Sequence, residues 1–194
     1  MSDTLVIDTG SGSVVEEKIE PLPLYNENYP MLDMVMPEYT QPLPNVKMNT
    51  IVKSLKMTMK LYGGIGLSAN QCGIRERVFI IGTDHFQLVC INPKVISTSN
   101  DVSKENEGCL SFPALYLKVD RPSSIDVEFT TENGEVKRMH LEGLTARCFL
   151  HELDHMNGVK FTSHVKPVAL RMAKQKAEKI MKKVLRNKSN GLQF

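Results

Sequence analysis

The segment His151-Glu152-Leu153-Asp154-His155 has the pattern H-E-x-x-H and lies in a stretch that is predicted to be helical. Residues four apart lie on one face of an α-helix, so His151 and His155 can hold one metal ion together. Glu152 is positioned to reach a water molecule on that ion and to act as a general base. The alternative is two structural histidines that happen to be four residues apart, which the glutamate disfavours. The pattern therefore favours a metal-dependent hydrolase.

The helix that carries this pattern is predicted to span residues 144–156 and to end at Asn157-Gly158. Leu144 and Cys148 share the face of the two histidines, because the four positions are separated by four, three and four residues. An apolar pocket is therefore expected beside the ion. A second face of the helix is expected to pack into the core: Phe149, Leu153 and Met156.

The composition is typical of a globular domain. The chain has 194 residues, of which 41% are hydrophobic and 24% are charged, enough for one domain with a sizeable core. No apolar run is long enough to span a bilayer, and the first residues have the features of neither a secretory signal nor a transit peptide. The four cysteines form no C-x-x-C pair, which favours a reducing compartment. We therefore expect a cytoplasmic protein with no membrane partner.

Charge is distributed unevenly along the chain. Residues 166–188 contain nine lysines or arginines and one acid, so this segment carries +8 and the remainder −6, for a net charge of +2. A basic helix beside an acidic body predicts an anionic partner for the tail. The alternative is the solvated face of an ordinary packed helix.

Hydrophobic periodicity predicts three helices separated by a region of strands. The helices are expected at residues 46–62, 144–156 and 168–185, the last with an apolar stripe made of Ala169, Ala173, Ala177, Ile180 and Val184. The strands are expected at residues 78–81 and 88–91, with a turn at Asn92-Pro93, and in a hairpin of residues 124–130 and 135–141.

This order of elements predicts an α+β fold. Small mixed or antiparallel strands would pack around a central helix that bears the H-E-x-x-H pattern, with a further helix at the C-terminus. The expected division is a partly irregular N-terminal extension (residues 1–28), a catalytic domain (residues 29–165), and a basic C-terminal helix and tail (residues 166–194).

A catalytic metal site of this kind needs a third protein ligand, and three schemes compete to supply it. The metzincin pattern requires a histidine where this chain has Phe161, and His164 comes three residues late. A glutamate on a following helix would have to be Glu178, which lies among lysines. The third candidate is Cys109, because a thiolate and two imidazoles leave one coordination position open. On its own, such a cysteine would be interpreted as a buried apolar residue.

Two further segments complete the pattern. Cys109 lies in Glu107-Gly108-Cys109-Leu110-Ser111, where the glycine would let the backbone approach an ion. The other segment is Gly64-Ile65-Gly66-Leu67-Ser68-Ala69-Asn70-Gln71, which lacks the Gly-Lys-Ser/Thr ending of a phosphate loop. Its two glycines permit close approach of a substrate, and Gln71 offers an amide donor for a developing oxyanion.

Taken together, the three segments resemble the three signature motifs of the peptide deformylase family. The family's pattern is G-x-G-L-[A/S]-A-x-Q, then E-G-C-L-S, then Q-H-E-x-D-H-L-x-G, and this chain has similar motifs in the same order. The resemblance extends from about residue 29 to the C-terminus. It implies that Cys109, His151 and His155 bind one divalent metal ion, with water as the fourth ligand. The ion is typically Fe²⁺ in this family, and Zn²⁺ or Ni²⁺ also occupy the site.

The resemblance also assigns catalytic and substrate-binding roles. Glu152 would act first as general base and then as general acid, while Gln71 and the backbone N–H of Leu110 would bind the oxyanion. A further set would contact the substrate backbone or surround the methionine side chain: Gly64, Ile65, Gly66, Leu144, Arg147 and Cys148.

Four positions depart from the family pattern. Leu150 replaces a usual glutamine and Met156 a usual leucine, both expected to be changes in packing. Arg147 occupies a position that is often apolar in the pocket wall. Tyr116 falls where many bacterial members have a substrate-binding arginine, which changes the expected recognition of the peptide beyond methionine.

The implied activity is hydrolytic removal of the N-formyl group from formylmethionine of nascent polypeptides, with release of formate. The expected partners are N-formylmethionyl peptides and, through the basic C-terminal helix, the ribosome. Two alternatives come from other classes: an H-E-x-x-H zinc peptidase, and a non-catalytic module that binds a metal or the ribosome.

Overall fold

The computed structural model describes residues 4–5, 17–83 and 85–189 of the chain. This part contains three α-helices and nine strands. The helices are α1 (Val46–Leu61), α2 (Gly143–Met156) and α3 (Pro167–Ser189). The strands are β1 (Thr4–Leu5), β2 (Glu17–Lys18), β3 (Gly66–Ser68), β4 (Val78–Thr83), β5 (Phe86–Thr98), β6 (Val102–Cys109), β7 (Phe112–Pro122), β8 (Ser124–Thr130) and β9 (Val136–Glu142).

The strands form three antiparallel sheets. β1 pairs with β2, β6 pairs with β7, and the remaining strands form a five-stranded sheet in the order β3-β4-β5-β8-β9. This arrangement confirms the predicted α+β fold, with antiparallel strands around the H-E-x-x-H helix and a helix at the C-terminus. No helix in the described ranges combines the length and the apolar character that crossing a bilayer would require.

Strand β4 is buried on both faces, which explains its uninterrupted run of apolar residues. Val78 and Ile80 pack into the cluster on the side of α1, whereas Phe79 and Ile81 pack into the cluster on the side of α2. Alternate residues of a strand point to opposite faces of the sheet, so a strand between two helices must be apolar at every position. The strand predicted at residues 78–81 is confirmed and extends to Thr83.

The first helix begins and ends close to the predicted positions. The side chain of Asn45 accepts a hydrogen bond from the backbone N–H of Met48, which caps the N-terminus of α1. Tyr62 follows the last helical residue, and Gly63 adopts a φ of 66° that ends the helix. The apolar stripe that predicted the helix is buried: Met48, Ile51, Val52, Leu55 and Met59.

The predicted turn at Asn92-Pro93 is wrong, because β5 runs through these residues to Thr98. Asn92 has a φ of 50°, and the pairing of β5 with β8 shifts between Ile91 and Lys94. The Asn92 side chain accepts a hydrogen bond from the Tyr39 backbone N–H and donates one to the Tyr39 carbonyl, at 2.8 and 2.9 Å. Asparagine tolerates this backbone conformation, so the pair forms a bulge instead of a turn. The hairpin predicted downstream is confirmed as β8 and β9, with Thr130 opposite Val136.

Helix α2 packs one face on the five-stranded sheet, as predicted. Phe149 is fully buried and meets Phe79 edge to face, with ring centroids 5.1 Å apart. Met156 is also fully buried, and Leu153 packs against the same cluster. This contact fixes the rotation of α2 and directs its opposite face towards the β6–β7 hairpin.

Helix α3 contacts the β6–β7 hairpin through only part of the predicted stripe, namely Ala173 and Ala177. Leu170, Ala173 and Ala177 pack in the cluster that contains apolar residues of β7. Ile180 and Val184, which the periodicity places on the predicted stripe, remain 39% and 42% exposed. The predicted stripe is buried only in part, because the helix meets a single hairpin and its later turns extend beyond that contact.

The segment before α1 contacts the body of the protein. Ile19 is buried, the Leu22 backbone N–H donates to Thr58 Oγ1 at 2.8 Å, and the Tyr25 backbone N–H donates to the Gln71 carbonyl at 2.9 Å. Residues 1–3 and 6–16 of the predicted extension lie outside the described part of the chain. The boundary at residue 28 stays a prediction.

We expect Phe149→Ala to lower the free energy of unfolding by about 3–5 kcal/mol, because it removes a fully buried ring and leaves a cavity. Leu61→Ala, at a position that is 65% exposed, should change it by about 0.5 kcal/mol or less. Denaturant unfolding of both variants measures the difference. Equal effects would contradict the packing described for α2.

Candidate active site

Three side chains from two elements converge at one place. His151 and His155 lie one turn apart on α2, with ring centroids 5.1 Å apart. Cys109, the last residue of β6, places its Sγ 3.3 Å from Nε2 of His155. One possible ligand atom from each of the three residues lies within 4.8 Å of the others. A thiolate and two imidazoles at such distances form a donor set suited to a divalent transition metal.

The other positions considered for the third ligand supply no donor atom to the two histidines. Phe161 is 1% exposed and packs its ring 5.5 Å from that of His151, so the metzincin histidine position belongs to the core. His164 Nε2 lies 2.7 Å from Oδ2 of Asp154. Glu178 is exposed on α3. Of the three candidates from the sequence, only Cys109 lies beside both histidines.

A buried carboxylate holds His151 in position. Glu107 Oε2 lies 3.1 Å from Nδ1 of His151, and the same carboxylate accepts hydrogen bonds from Arg121 and Arg147. Burial by itself would raise the pKa of Glu107, but the hydrogen bonds from His151 and Arg121 lower it to about 2. Because Glu107 is therefore ionised, Nδ1 of His151 carries the proton and Nε2 is left to face an ion.

The two histidines lie in different electrostatic environments. Burial by itself would lower the pKa of His151, but hydrogen bonds to Cys109 and Glu107 raise it to about 10, so anionic groups favour positive charge here. Burial and the charge of His151 hold the pKa of His155 well below its usual range. His155 is thus neutral, which is the form that binds metals.

Glu152 is buried beside this group. It is 3% exposed, and its Oε2 has no hydrogen-bond partner among the residues that the structure describes. Burial raises the pKa of Glu152 to about 7, against the opposing charge of His151. A carboxylate with such a pKa can both accept and donate a proton near neutral pH.

Gln71 is oriented by a short 3₁₀ helix, Ala69–Cys72. Its Oε1 accepts hydrogen bonds from the backbone N–H and the hydroxyl of Ser68, at 3.0 and 2.9 Å. Its Nε2 is thereby turned towards Cys109 and Ser111, at 3.4 and 3.1 Å. The side chain is 1% exposed, so its amide group is a fixed hydrogen-bond donor beside the metal-binding group.

The sequence model of one protein family, described as polypeptide deformylase, matches residues 23–171. The chain belongs to this family. It is 40% identical over 126 residues to the peptide deformylase of Synechococcus sp. (strain RCC307), a match that covers 62% of this chain and 63% of that relative, less than two thirds of its length. Peptide deformylase 2 of Prochlorococcus marinus (strain MIT 9313) is 36% identical over 163 residues, with 80% of each chain covered.

Solved structures of deformylases share the fold. The peptide deformylase of Synechococcus elongatus in complex with actinonin has a TM-score of 0.77 and 35% identity, covering 81% of this chain and 86% of that one. A class I type b peptide deformylase of Acinetobacter baumannii, bound to Met-Ala-Ser, has a TM-score of 0.72 and 26% identity, covering 75% of this chain and 98% of that one.

In this deformylase-family chain, a cavity of about 620 Å³ lies beside the metal-binding group. Eleven of the twelve residues predicted to form the site line it. The exception is His155, which is 1% exposed and lies behind the wall. Ile65 and Leu144 are 43% and 66% exposed, so they form an outer part of this wall.

At two glycines of the deformylase-like motifs, Gly66 and Gly108, a side chain would collide with neighbouring atoms. A Cβ on Gly66 would collide with Glu152 Oε1 and lie 2.7 Å from Cys148 Sγ, so a side chain there would displace the proposed base. A Cβ on Gly108 would lie 2.8 Å from Cε1 of Tyr116. The sequence predicts that Gly108 lets the backbone approach an ion. In the structure, the missing side chain of Gly108 leaves room for the ring of Tyr116.

Arg147 has a different environment from the predicted one. It lines the cavity but is 5% exposed. Its Nη1 donates to Glu107 and to the carbonyl of Val119, and its Nη2 donates to Ser103. These contacts occupy the guanidinium group on the protein side, so direct binding of substrate by Arg147 stays a prediction.

Sequence reasoning missed two residues that organise the site. Glu107 lies two residues before the candidate ligand Cys109. An acid so close to a candidate ligand is a usable sequence signal for a residue that orients the site. Arg121 donates to both oxygens of Glu107 and also to Asp154 Oδ2, at 2.7 Å. Nothing local in the sequence singles out this arginine, because its partners lie 14 and 33 residues away.

We expect Glu107→Gln to lower the free energy of unfolding by about 3 kcal/mol, because it leaves buried guanidinium charges without their carboxylate. The same change should weaken metal binding by about 10- to 100-fold, since the orientation of His151 is lost. Denaturant unfolding and metal titration measure the two effects.

Asp120→Asn is the matched control, because Asp120 pairs with Lys104 across the same hairpin but both side chains are more than half exposed. It should cost about 1 kcal/mol or less and leave metal affinity unchanged. If Glu107→Gln behaves like this control, the buried carboxylate does not organise the site.

Proposed function

We propose that this chain removes the formyl group from N-formylmethionyl peptides by hydrolysis, releasing formate, in the cytoplasm. The observation that carries the proposal is the convergence of Cys109, His151 and His155 with the buried carboxylate of Glu152 in one cavity. Membership of the polypeptide deformylase family supports the same activity. The nascent chain, with its formylated N-terminus, is the proposed substrate.

Cys109, His151 and His155 would hold one divalent ion. The mixed sulfur and nitrogen donors suit Fe²⁺, proposed as the native ion, and also Zn²⁺ or Ni²⁺. When bound, such an ion polarises a carbonyl oxygen and lowers the pKa of bound water. The Glu107 carboxylate keeps the His151 ring oriented for this role.

Glu152 moves the proton in the proposed reaction. Its carboxylate takes a proton from the attacking water and later delivers it to the leaving amine. The pKa of about 7 suits both transfers, because proton transfer in each direction then has little energetic bias near neutral pH. Its free Oε2 is the atom that can accept the proton without breaking an existing hydrogen bond among the described residues.

Gln71 and the backbone N–H of Leu110 stabilise the negative charge that develops on the formyl oxygen. The Oε1 atom of Gln71 is held by Ser68, which keeps Nε2 directed towards Cys109. A donor that is fixed in this way contributes about 3 kcal/mol to transition-state stabilisation.

The substrate backbone would lie along β3, which is an edge strand of the five-stranded sheet. An extended peptide can add to such an edge through main-chain hydrogen bonds, next to Gly64 and Gly66. The methionine side chain would then pack against the apolar part of the cavity wall, which is formed by Ile65, Leu144 and Cys148.

The decisive assay is formate release from formyl-Met-Ala-Ser by protein that is reconstituted anaerobically with Fe²⁺, with acetyl-Met-Ala-Ser as the comparison. We expect release from the formylated peptide alone. Cleavage of internal peptide bonds would indicate a peptidase, and metal binding without formate release would indicate a non-catalytic module.

Glu152→Ala should retain the metal but lower kcat by about 100-fold or more, because the proton acceptor is lost. Glu178→Ala, at an exposed position on α3, is the control and should keep normal turnover. Metal content and formate release are measured on the same samples. Near-normal turnover by metal-loaded Glu152→Ala would remove Glu152 from the mechanism.

The ribosome is the proposed partner of α3. Lys176, Lys182 and Lys183 are exposed on this helix, and the last two lie beyond its contact with the β6–β7 hairpin. Replacing all three with alanine should weaken ribosome cosedimentation and reduce the dependence of binding on salt, because fewer phosphate contacts are made.

The matched control replaces three exposed lysines outside α3: Lys53, Lys94 and Lys137. Both triple variants lose the same net charge, so a loss of binding that is specific to the α3 variant supports the proposal. Equal binding by the two variants, or no binding by the wild type, would exclude it.

A further inference from the structure

Three tyrosines line the cavity and are also exposed to solvent. Tyr25, Tyr62 and Tyr116 all line it, and they are 37%, 49% and 67% exposed. They come from three separate parts of the chain, namely the segment before α1, the residue that ends α1, and β7. We call these residues the tyrosine rim.

Tyr25 is held in place on several sides. Its ring stacks on that of Tyr29, with centroids 4.0 Å apart and planes inclined by 12°. A Cβ on Gly73 would lie 2.9 Å from Cε2 of Tyr25, so the ring lies closely against this glycine. The backbone N–H of Tyr25 donates to the carbonyl of Gln71. The rim is therefore tied to the residue proposed to bind the oxyanion.

Tyr116 is held by the β6–β7 hairpin. Its partner across the two strands is Gly108, and its ring covers the place where a side chain of Gly108 would lie. Gly108 directly precedes the proposed metal ligand Cys109. Tyr116 is thus an exposed aromatic residue in a fixed position on the cavity wall. A peptide bound at the metal site would pass it on the way out of the cavity.

The exposed lining of the cavity carries no charge. The acidic, basic and histidine side chains among its described lining residues are Glu107, Arg147, His151 and Glu152, and each is 7% exposed or less. Glu107 and Arg147 are also bonded to each other, at 2.7 Å. A side chain that emerges from the methionine site therefore meets tyrosine rings and no exposed ionic partner.

We propose that the tyrosine rim selects the residues that follow methionine by apolar and aromatic contact. The proposal rests on the proposed deformylase function and specifies its substrate class: formylmethionyl peptides with a large apolar or aromatic side chain at the second or third position. Aromatic rings pack favourably on such side chains. A charged side chain would lose hydration against the rings without gaining an ion pair.

The test measures kcat/KM for two peptide series, formyl-Met-X-Ser and formyl-Met-Ala-X, where X is Phe, Leu, Lys or Asp. We expect the Phe and Leu peptides to exceed the Lys and Asp peptides by about 3- to 10-fold in at least one series. The difference should persist at high salt, because it does not arise from ion pairing. Equal values for every X, or a salt-dependent preference for a charged X, would overturn the proposal.

Variants identify the residue responsible. Tyr116→Ala should lower kcat/KM for the preferred Phe peptide by about 3- to 10-fold, mainly through KM, and change the Asp peptide by less than about twofold. Tyr116→Phe should restore the preference, which shows that the ring and not a folding defect is responsible. Lys118→Ala is the control, because Lys118 is exposed two residues along β7 and does not line the cavity.

The outcomes separate this inference from the function on which it rests. Formate release from all peptides without preference, or a preference that Tyr116→Ala leaves intact, contradicts the tyrosine rim alone. Absence of formate release from every formylated peptide by the metal-loaded wild type contradicts the proposed function, and the inference with it.

Discussion

The carboxylate of Glu107 is the interaction on which the site depends. It is buried and takes part in four hydrogen bonds with Arg121, Arg147 and His151. These bonds join the β6–β7 hairpin to α2, which share no sheet. Because Cys109 lies two residues after Glu107, the same contact sets the distance between the thiol and the two imidazoles. A buried ion-pair network contributes little net stability when complete, yet it is costly to break, so it fixes one arrangement of the two elements.

Local sequence patterns were sufficient to predict the three helices and the side chains that α2 brings to the candidate site. The period of α2 correctly predicted that Phe149 and Met156 face the core, and of the two histidines on the opposite face His151 lines the cavity. The same reasoning could not choose the third ligand, because Cys109 lies 42 residues before His151 in the chain. The family resemblance made that choice, and the β6–β7 hairpin supplies the physical reason for it.

Long-range packing explains the predictions that were wrong or incomplete. Asn92-Pro93 has the composition of a turn, but hydrogen bonds to Tyr39, 53 residues away, make it a bulge within β5. The stripe predicted along α3 is buried only in part, because the helix meets a single hairpin. Arg147 lines the cavity as predicted, but its contact with Glu107, 40 residues away, could not be predicted from the local sequence. In each case the contact that decides the structure joins segments far apart in the chain, so the local hydrophobic periodicity could not predict it.

The alternation of β7 has a consequence for how such a protein can diverge. Leu115, Leu117 and Val119 point into a buried cluster, whereas Tyr116 points to the cavity. One strand therefore carries positions whose side chains are packed in the core and, between them, one whose side chain is exposed. Substitutions at the outward position can alter the surface that a substrate meets while the hydrophobic contacts beneath it stay unchanged. If Tyr116 selects substrates as proposed, single substitutions there would change the preference and leave the buried cluster beneath it intact.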